Sequence, residues 1–258
     1  MIILIFSSYY LDYDTKPNNN SFNISESTKE EIVVEEPIVE EIKDYSGKFK
    51  YCIFVFNESY QRYVEEHEYI FDDFCNISEK YPYISDLFYP EYNVEIREMD
   101  KDYVLAWYIG NGNIEINKKY WTLKTLDEVL SHEIIHSVTE DLWLPNWLDE
   151  GIAEYYSYYF LDQVEQIRHV YIKDVELWNN SDDYGRSVKA YKQSRYIVKK
   201  MIERFGDDFI YKLLVELEGK ISPYDTIEEK NDIIFDAIRE VADNESITRD
   251  EILFPQDY

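Results

Sequence analysis

Glycine and proline are scarce, at 7 each in 258 residues, which excludes a collagen-like or linker-dominated chain. Two cysteines, Cys52 and Cys75, are too few for a disulfide framework. One bridge or two buried thiols are both open readings, and a free thiol packs well as a small hydrophobe. No run reaches the roughly 18 apolar residues that a membrane-spanning helix needs. Basic residues are few, 26 Lys and Arg against 54 Asp and Glu, for a net charge of −28. A surface that negative repels phosphate backbones, so nucleic acid is a poor partner. The acidity speaks first for solubility and only weakly for a basic substrate. A phosphate-binding loop, a dinucleotide fingerprint and a G-x-S-x-G elbow are all missing.

What is present is apolar mass. Hydrophobic residues make up 45% and aromatic residues 17%, enough to build a core and to exclude wholesale disorder. The chain opens with an apolar stretch, Met1 to Phe6, that lacks a basic region and a clear cleavage site. Residues 1–46 read as this apolar start followed by an acidic, low-complexity tether, with KPNNNS at Lys16 to Ser21 and EEIVVEEPIVEEI at Glu30 to Ile42. Such runs are solvated linkers. An apolar start and a polar tether together suggest a membrane tether through the N-terminus and tilt the expected location towards extracytoplasmic or membrane-tethered. An acidic disordered tail explains the same residues equally well.

A folded domain is expected over residues 47–258, of α+β class. Its first part, about 47–124, is small and strand-rich. Lys48 to Asn57 reads as a buried strand, and Glu58 to Asn76 as a helix with Tyr60, Val64, Phe71 and Phe74 on one face. Tyr92 to Met99, Tyr103 to Ile109 and Asn113 to Asn117 read as further strands. The turn residues Gly110 to Asn113 join the last two into an edge-strand hairpin. The second part, about 125–258, is helical and opens at a T-x-x-E capping box, Thr125 with Glu128.

The helix that follows contains His132-Glu133-Ile134-Ile135-His136. Residues four apart share one helix face, so both imidazoles can reach one ion. Glu133 stands beside that face and can reach a water there without being a ligand. Two of only four histidines fall in this motif, on a helix made apolar by Val129, Ile134, Ile135 and Val138. Ionisable groups are seldom placed in a core without a partner or a metal. His67 and His169 carry no such context and read as ordinary helix residues. The aromatic run Tyr155, Tyr156, Tyr158, Tyr159 and Phe160 reads as a packed face.

Downstream lies Trp147-Leu148-Asp149-Glu150-Gly151-Ile152-Ala153-Glu154-Tyr155. H-E-x-x-H followed by W-L-x-E-G-x-A-x-Y resembles the gluzincin metallopeptidases, most closely the small peptidase MA-like domains related to thermolysin and the aminopeptidase N group. The likeness spans roughly residues 48–240. It implies one zinc ion per chain on His132, His136 and Glu150, with Glu133 as general base. It implies that Glu154 accepts a hydrogen bond from His132, the outer support that orients a metal-bound imidazole. Tyr191-Lys192-Gln193-Ser194 and Glu203-Arg204-Phe205-Gly206 resemble the helix that closes these domains. The likeness gives Tyr191 the phenol that steadies the oxyanion, with Tyr184 as the rival. It makes Ala106 to Asn117 the edge where an extended peptide or protein substrate pairs by strand addition.

The chain departs from the aminopeptidases. Their G-x-M-E-N exopeptidase signature is absent, so the implied activity is endopeptidase. Ser137 replaces the usual residue after the second histidine. The alternative reading is a peptidase-like binding or scaffold domain that holds an extended peptide without cleaving it. Retention of Glu133 argues against that reading. A zinc hydrolase acting on a different bond is a third reading.

Overall fold

The computed structural model describes residues 53–56, 84, 87–89, 91–99, 104–119, 123–160, 162–178 and 184–255. The expected tether over 1–46, the helix over 58–76, Cys52, Cys75 and His67 lie outside the described residues. Four strands come first: β1 (Ile53–Phe56), β2 (Glu91–Arg97), β3 (Ala106–Gly110) and β4 (Asn113–Asn117). Helices α1 (Leu123–Thr139), α2 (Asn146–Phe160), α3 (Tyr184–Phe205), α4 (Phe209–Leu217), α5 (Ile227–Val241) and α6 (Arg249–Leu253) follow. A strand-rich part followed by a helical part is the α+β arrangement expected from the sequence.

The sheet order is β1-β2-β4-β3. β1 pairs with β2 and β2 with β4 in parallel, while β3 runs antiparallel to β4. β2 alternates strictly, with Tyr92, Val94 and Ile96 inward and Glu91, Asn93, Glu95 and Arg97 outward. That two-residue period gives the sheet one apolar face. The hairpin turn needs left-handed backbone at Gly110, Asn111 and Gly112. A Cβ on Gly112 would meet the Glu91 carbonyl oxygen at 2.6 Å, so only glycine fits there. β3 closes the sheet edge among the described residues, with a bulge between Tyr108 and Gly110.

α1 lies across the apolar face with Val129, Leu130, Ile134, Ile135 and Val138 buried against it. The Tyr92 hydroxyl meets Ser137 Oγ at 2.7 Å and ties β2 to α1. α2 then packs between α1 and α3. Gly151 is what lets α3 come close. A Cβ at that position would stand 2.9 Å from the Ser194 carbonyl oxygen and 3.1 Å from Val198 Cγ2. Trp147 anchors the start of α2. Its ring stacks on Phe235 at 5.9 Å, and its indole N–H donates to Asn231 Oδ1 at 2.8 Å.

The starts of α1 and β3 differ from expectation, and β2 runs Glu91–Arg97 where Tyr92 to Met99 was expected. α1 begins at Leu123, two residues before the expected start, so Thr125 and Glu128 lie inside the helix. A T-x-x-E pair is also an ordinary i,i+3 pair on a helix face, which is why the pattern misleads here. Capping boxes instead open α5, at Thr226 with Glu229, and α6, at Thr248 with Glu251. β3 begins at Ala106, three residues later than the apolar run suggests. The Val104 and Leu105 carbonyls accept from the side-chain amide and the backbone N–H of Asn117.

Candidate metal centre

α1 and α2 are consecutive and packed together, and their facing sides carry His132, His136 and Glu150. Each offers one ligand atom to a common point. His132 Nε2 lies 3.1 Å from Glu150 Oε2 and 3.1 Å from His136 Nε2, and His136 Nε2 lies 3.5 Å from the same carboxylate oxygen. For a tetrahedral zinc site with bonds near 2.0–2.1 Å, ligand atoms stand about 3.3–3.4 Å apart. The observed triangle brackets that edge. The donor set, two imidazoles and a carboxylate, is also a set zinc takes in catalytic sites. All three side chains are buried.

Electrostatics within the triangle follow from burial and proximity. Burial disfavours the Glu150 anion, but the His136 and His132 imidazoles outweigh it and hold the carboxyl down to about 2. Burial likewise disfavours charge on His136, yet Asp149 and Glu150 hold it well above the usual histidine range. Glu150 therefore remains an anion ready to balance a cation.

Glu133 sits beside the triangle on α1, almost fully buried, with one carboxylate oxygen lacking a hydrogen-bond partner among the described residues. Burial pushes its carboxyl up to about 7, against the opposing pull of both imidazoles and a hydrogen bond from the Tyr108 backbone. A buried carboxylate with an unused acceptor is costly unless it has work to do. Its neighbour Tyr108 belongs to β3, so the sheet edge and Glu133 face each other.

Tyr191 is brought to the same place by α3. Its buried hydroxyl has no well-formed hydrogen bond among the described residues. Burial and the Glu150 and Glu154 carboxylates raise it well above the usual phenol range. Its ring packs edge-on against Trp178 at 4.9 Å. Tyr184 supplies the first residue of α3, and its side chain is outside the described set.

Glu154 faces His132, but Oε1 stands 3.7 Å from Nδ1, longer than a hydrogen bond. Its other oxygen accepts from Arg195 at 3.1 Å. The contact to His132 is thus a facing charge at this distance. Arg195 in turn lies over the Tyr158 ring at 4.2 Å.

Three contributors escape a reading of the sequence. Asp149 Oδ2 stands 3.3 Å from His136 Nδ1, and Thr139 donates to Asp149 Oδ1 at 2.5 Å. Arg195 is the third. Asp149 had a visible signal, since it is a carboxylate next to a ligand on the face turned to α1. Thr139 and Arg195 had none, because their contacts depend on where helices end and cross.

The edge strand is pinned from α1. Glu140, just past its end, accepts from Tyr108 Oη at 2.6 Å, Tyr89 Oη at 3.0 Å and the Asn111 N–H at 2.9 Å. His169 is exposed and stacks on Tyr196 at 4.8 Å, away from the triangle. In the aromatic run, Tyr155 and Tyr156 are buried while Tyr159 is 43% exposed, so the run is only partly a core face. No family model, no curated protein and no solved structure matches this chain.

Proposed function

We propose that the chain is a zinc-dependent peptidase of the gluzincin kind, cleaving within extended peptides. One observation carries this reading: His132, His136 and Glu150 present three ligand atoms at zinc-like separations, with a partly unpartnered Glu133 carboxylate beside them. A zinc ion held there would polarise a peptide carbonyl and acidify a water. The chain's own residues supply the rest. Glu133 accepts a proton from the attacking water and passes it to the leaving nitrogen. In the metal-free protein burial raises its carboxyl to about 7, and a cation beside it would lower that value and favour the proton-accepting form. Tyr191 donates its phenolic hydrogen to the developing oxyanion, and its raised range keeps that hydrogen in place. The side of β3 turned away from β4, unpaired among the described residues, offers backbone donors and acceptors to an extended substrate.

The deciding experiment pairs metal content with digestion of a peptide library. Purified protein is expected to carry about one zinc per chain and to cleave peptides in a chelator-sensitive way. Glu133→Gln should keep the metal and lose turnover. Protein that takes up no zinc refutes the metal centre. Protein that binds zinc and peptide but cleaves nothing refutes the peptidase and leaves the scaffold reading.

A further inference from the structure

We infer that Thr139 is a positioning residue of the metal centre, a step that rests on the zinc reading above. Its hydroxyl fixes the Asp149 carboxylate, and Asp149 in turn fixes the His136 ring with Nε2 turned to His132 and Glu150. Thr139 is the last residue of α1, one turn after His136, and Asp149 lies in the first turn of α2 immediately before Glu150. One short contact therefore joins the end of the helix that carries two ligands to the start of the helix that carries the third.

The division of the carboxylate makes this specific. An ionised carboxylate only accepts hydrogen bonds. Oδ1 takes the Thr139 hydroxyl at 2.5 Å, and Oδ2 faces His136 Nδ1 at 3.3 Å as a close ionic contact without hydrogen-bond alignment. With the hydroxyl in place, the plane of Asp149 is set and Oδ2 stays on the imidazole. Without it, Oδ1 loses its shortest contact and the carboxylate plane is held less firmly against the ring. The hydroxyl has a second acceptor within reach, the His136 carbonyl oxygen at 3.2 Å, but the shorter contact is to Asp149. Both side chains are buried, so water offers no ready substitute.

The two imidazoles are supported differently. Behind His132 stands a charged pair, Glu154 with Arg195. Behind His136 the last donor is neutral. Removing the Thr139 hydroxyl changes no formal charge, so an effect on the metal seen with Val and spared with Ser is an effect of the lost donor.

The test uses the full chain with Thr139→Val, which keeps the shape and removes the donor, and Thr139→Ser, which keeps the donor. Two quantities are read: zinc affinity by competition with a chromophoric chelator, and the visible spectrum of the cobalt-loaded protein. Thr139→Val should bind zinc about tenfold more weakly, the scale of outer-layer effects, with shifted cobalt bands. Thr139→Ser should stay within about twofold of wild type with unshifted bands. Equal affinity and equal spectra in wild type and Thr139→Val overturn the inference while leaving the metal centre intact. A lowered melting temperature of the metal-free Val variant with an unchanged cobalt spectrum also overturns it, since that is the mark of packing alone. If Thr139→Val does not fold, Thr139→Ala against Thr139→Ser gives the same comparison with the same outcomes. A wild type that takes up neither metal overturns the metal centre and this inference together.

Discussion

Arg195 reaches from α3 to Glu154 on α2 with a 3.1 Å contact, leaving the other carboxylate oxygen 3.7 Å from His132 Nδ1. One cation thus decides which oxygen faces the imidazole. The pair is mostly shielded, with side chains 11% and 9% exposed, so bulk water does little to weaken it.

Glu154→Gln should weaken zinc by about tenfold, the lower end of the cost of losing an outer partner. Arg195→Met should cost folding stability by about 3–5 kcal/mol, because it strands a buried carboxylate. Chelator competition and denaturant melts measure the two effects. A change in zinc affinity below about twofold for Glu154→Gln would show that the 3.7 Å contact does nothing for the ring.

Glu133→Gln should separate stability from chemistry in the metal-free protein. The folded carboxyl lies near 7 against an ordinary 4.5. The folded state therefore holds a proton that the unfolded chain releases in that window. Stability is lost as pH rises through it, and the loss is complete above about pH 7. Glutamine escapes this cost. The variant should match wild type near pH 4 and exceed it by about 2–3 kcal/mol at pH 8. Chemical denaturation in chelator at both pH values reads the difference. A variant equally stable or less stable at pH 8 would contradict the buried-charge account.

Gly151→Ala should disturb the centre from its back side. The added methyl meets the Ser194 carbonyl at 2.9 Å, so α2 and α3 must part. Overpacking of this kind costs about 1–3 kcal/mol. Because Glu150 is the adjacent residue and Tyr191 lies on the displaced helix, zinc affinity should fall together with the melting temperature. A variant with native melting and native zinc affinity would mean that the helices absorb the methyl without moving.

Glu140→Ala should loosen the β3 edge and leave the proposed metal centre alone. It removes the acceptor of Tyr89, Tyr108 and Asn111, and each donor left unmet costs about 1–3 kcal/mol where water cannot reach it. KM should rise more than kcat falls, with zinc content unchanged. Steady-state kinetics on one cleaved peptide would decide, and a loss confined to kcat would argue that β3 plays no part in holding substrate.

The helical part of the fold and the shared face of His132 and His136 were legible because both depend on short-range spacing, while Glu150 was implied by the resemblance of the segment around it. His132 and His136 share a face whatever surrounds them, and β2 shows its buried side in strict alternation. Glu150 lies only 18 residues from His132, on the next helix. The supports of the triangle were not legible. Thr139 matters because α1 ends there and α2 turns back beside it, and Arg195 matters because Gly151 admits α3. The T-x-x-E at Thr125 misled because the same spacing serves inside a helix and at its start.

His132, His136 and Glu150 come from two consecutive helices joined by a short connection, whereas β3 and Tyr191 enter from the sheet and from α3. The metal triangle is therefore a local contact in the chain, of low sequence separation, and local contacts form early in folding. A cation bound by His132, His136 and Glu150 would add its binding energy to the folding of the α1–α2 hairpin. Refolding with zinc present should be faster than refolding without it, while cleavage competence should appear in a later phase, when the edge strand and α3 arrive.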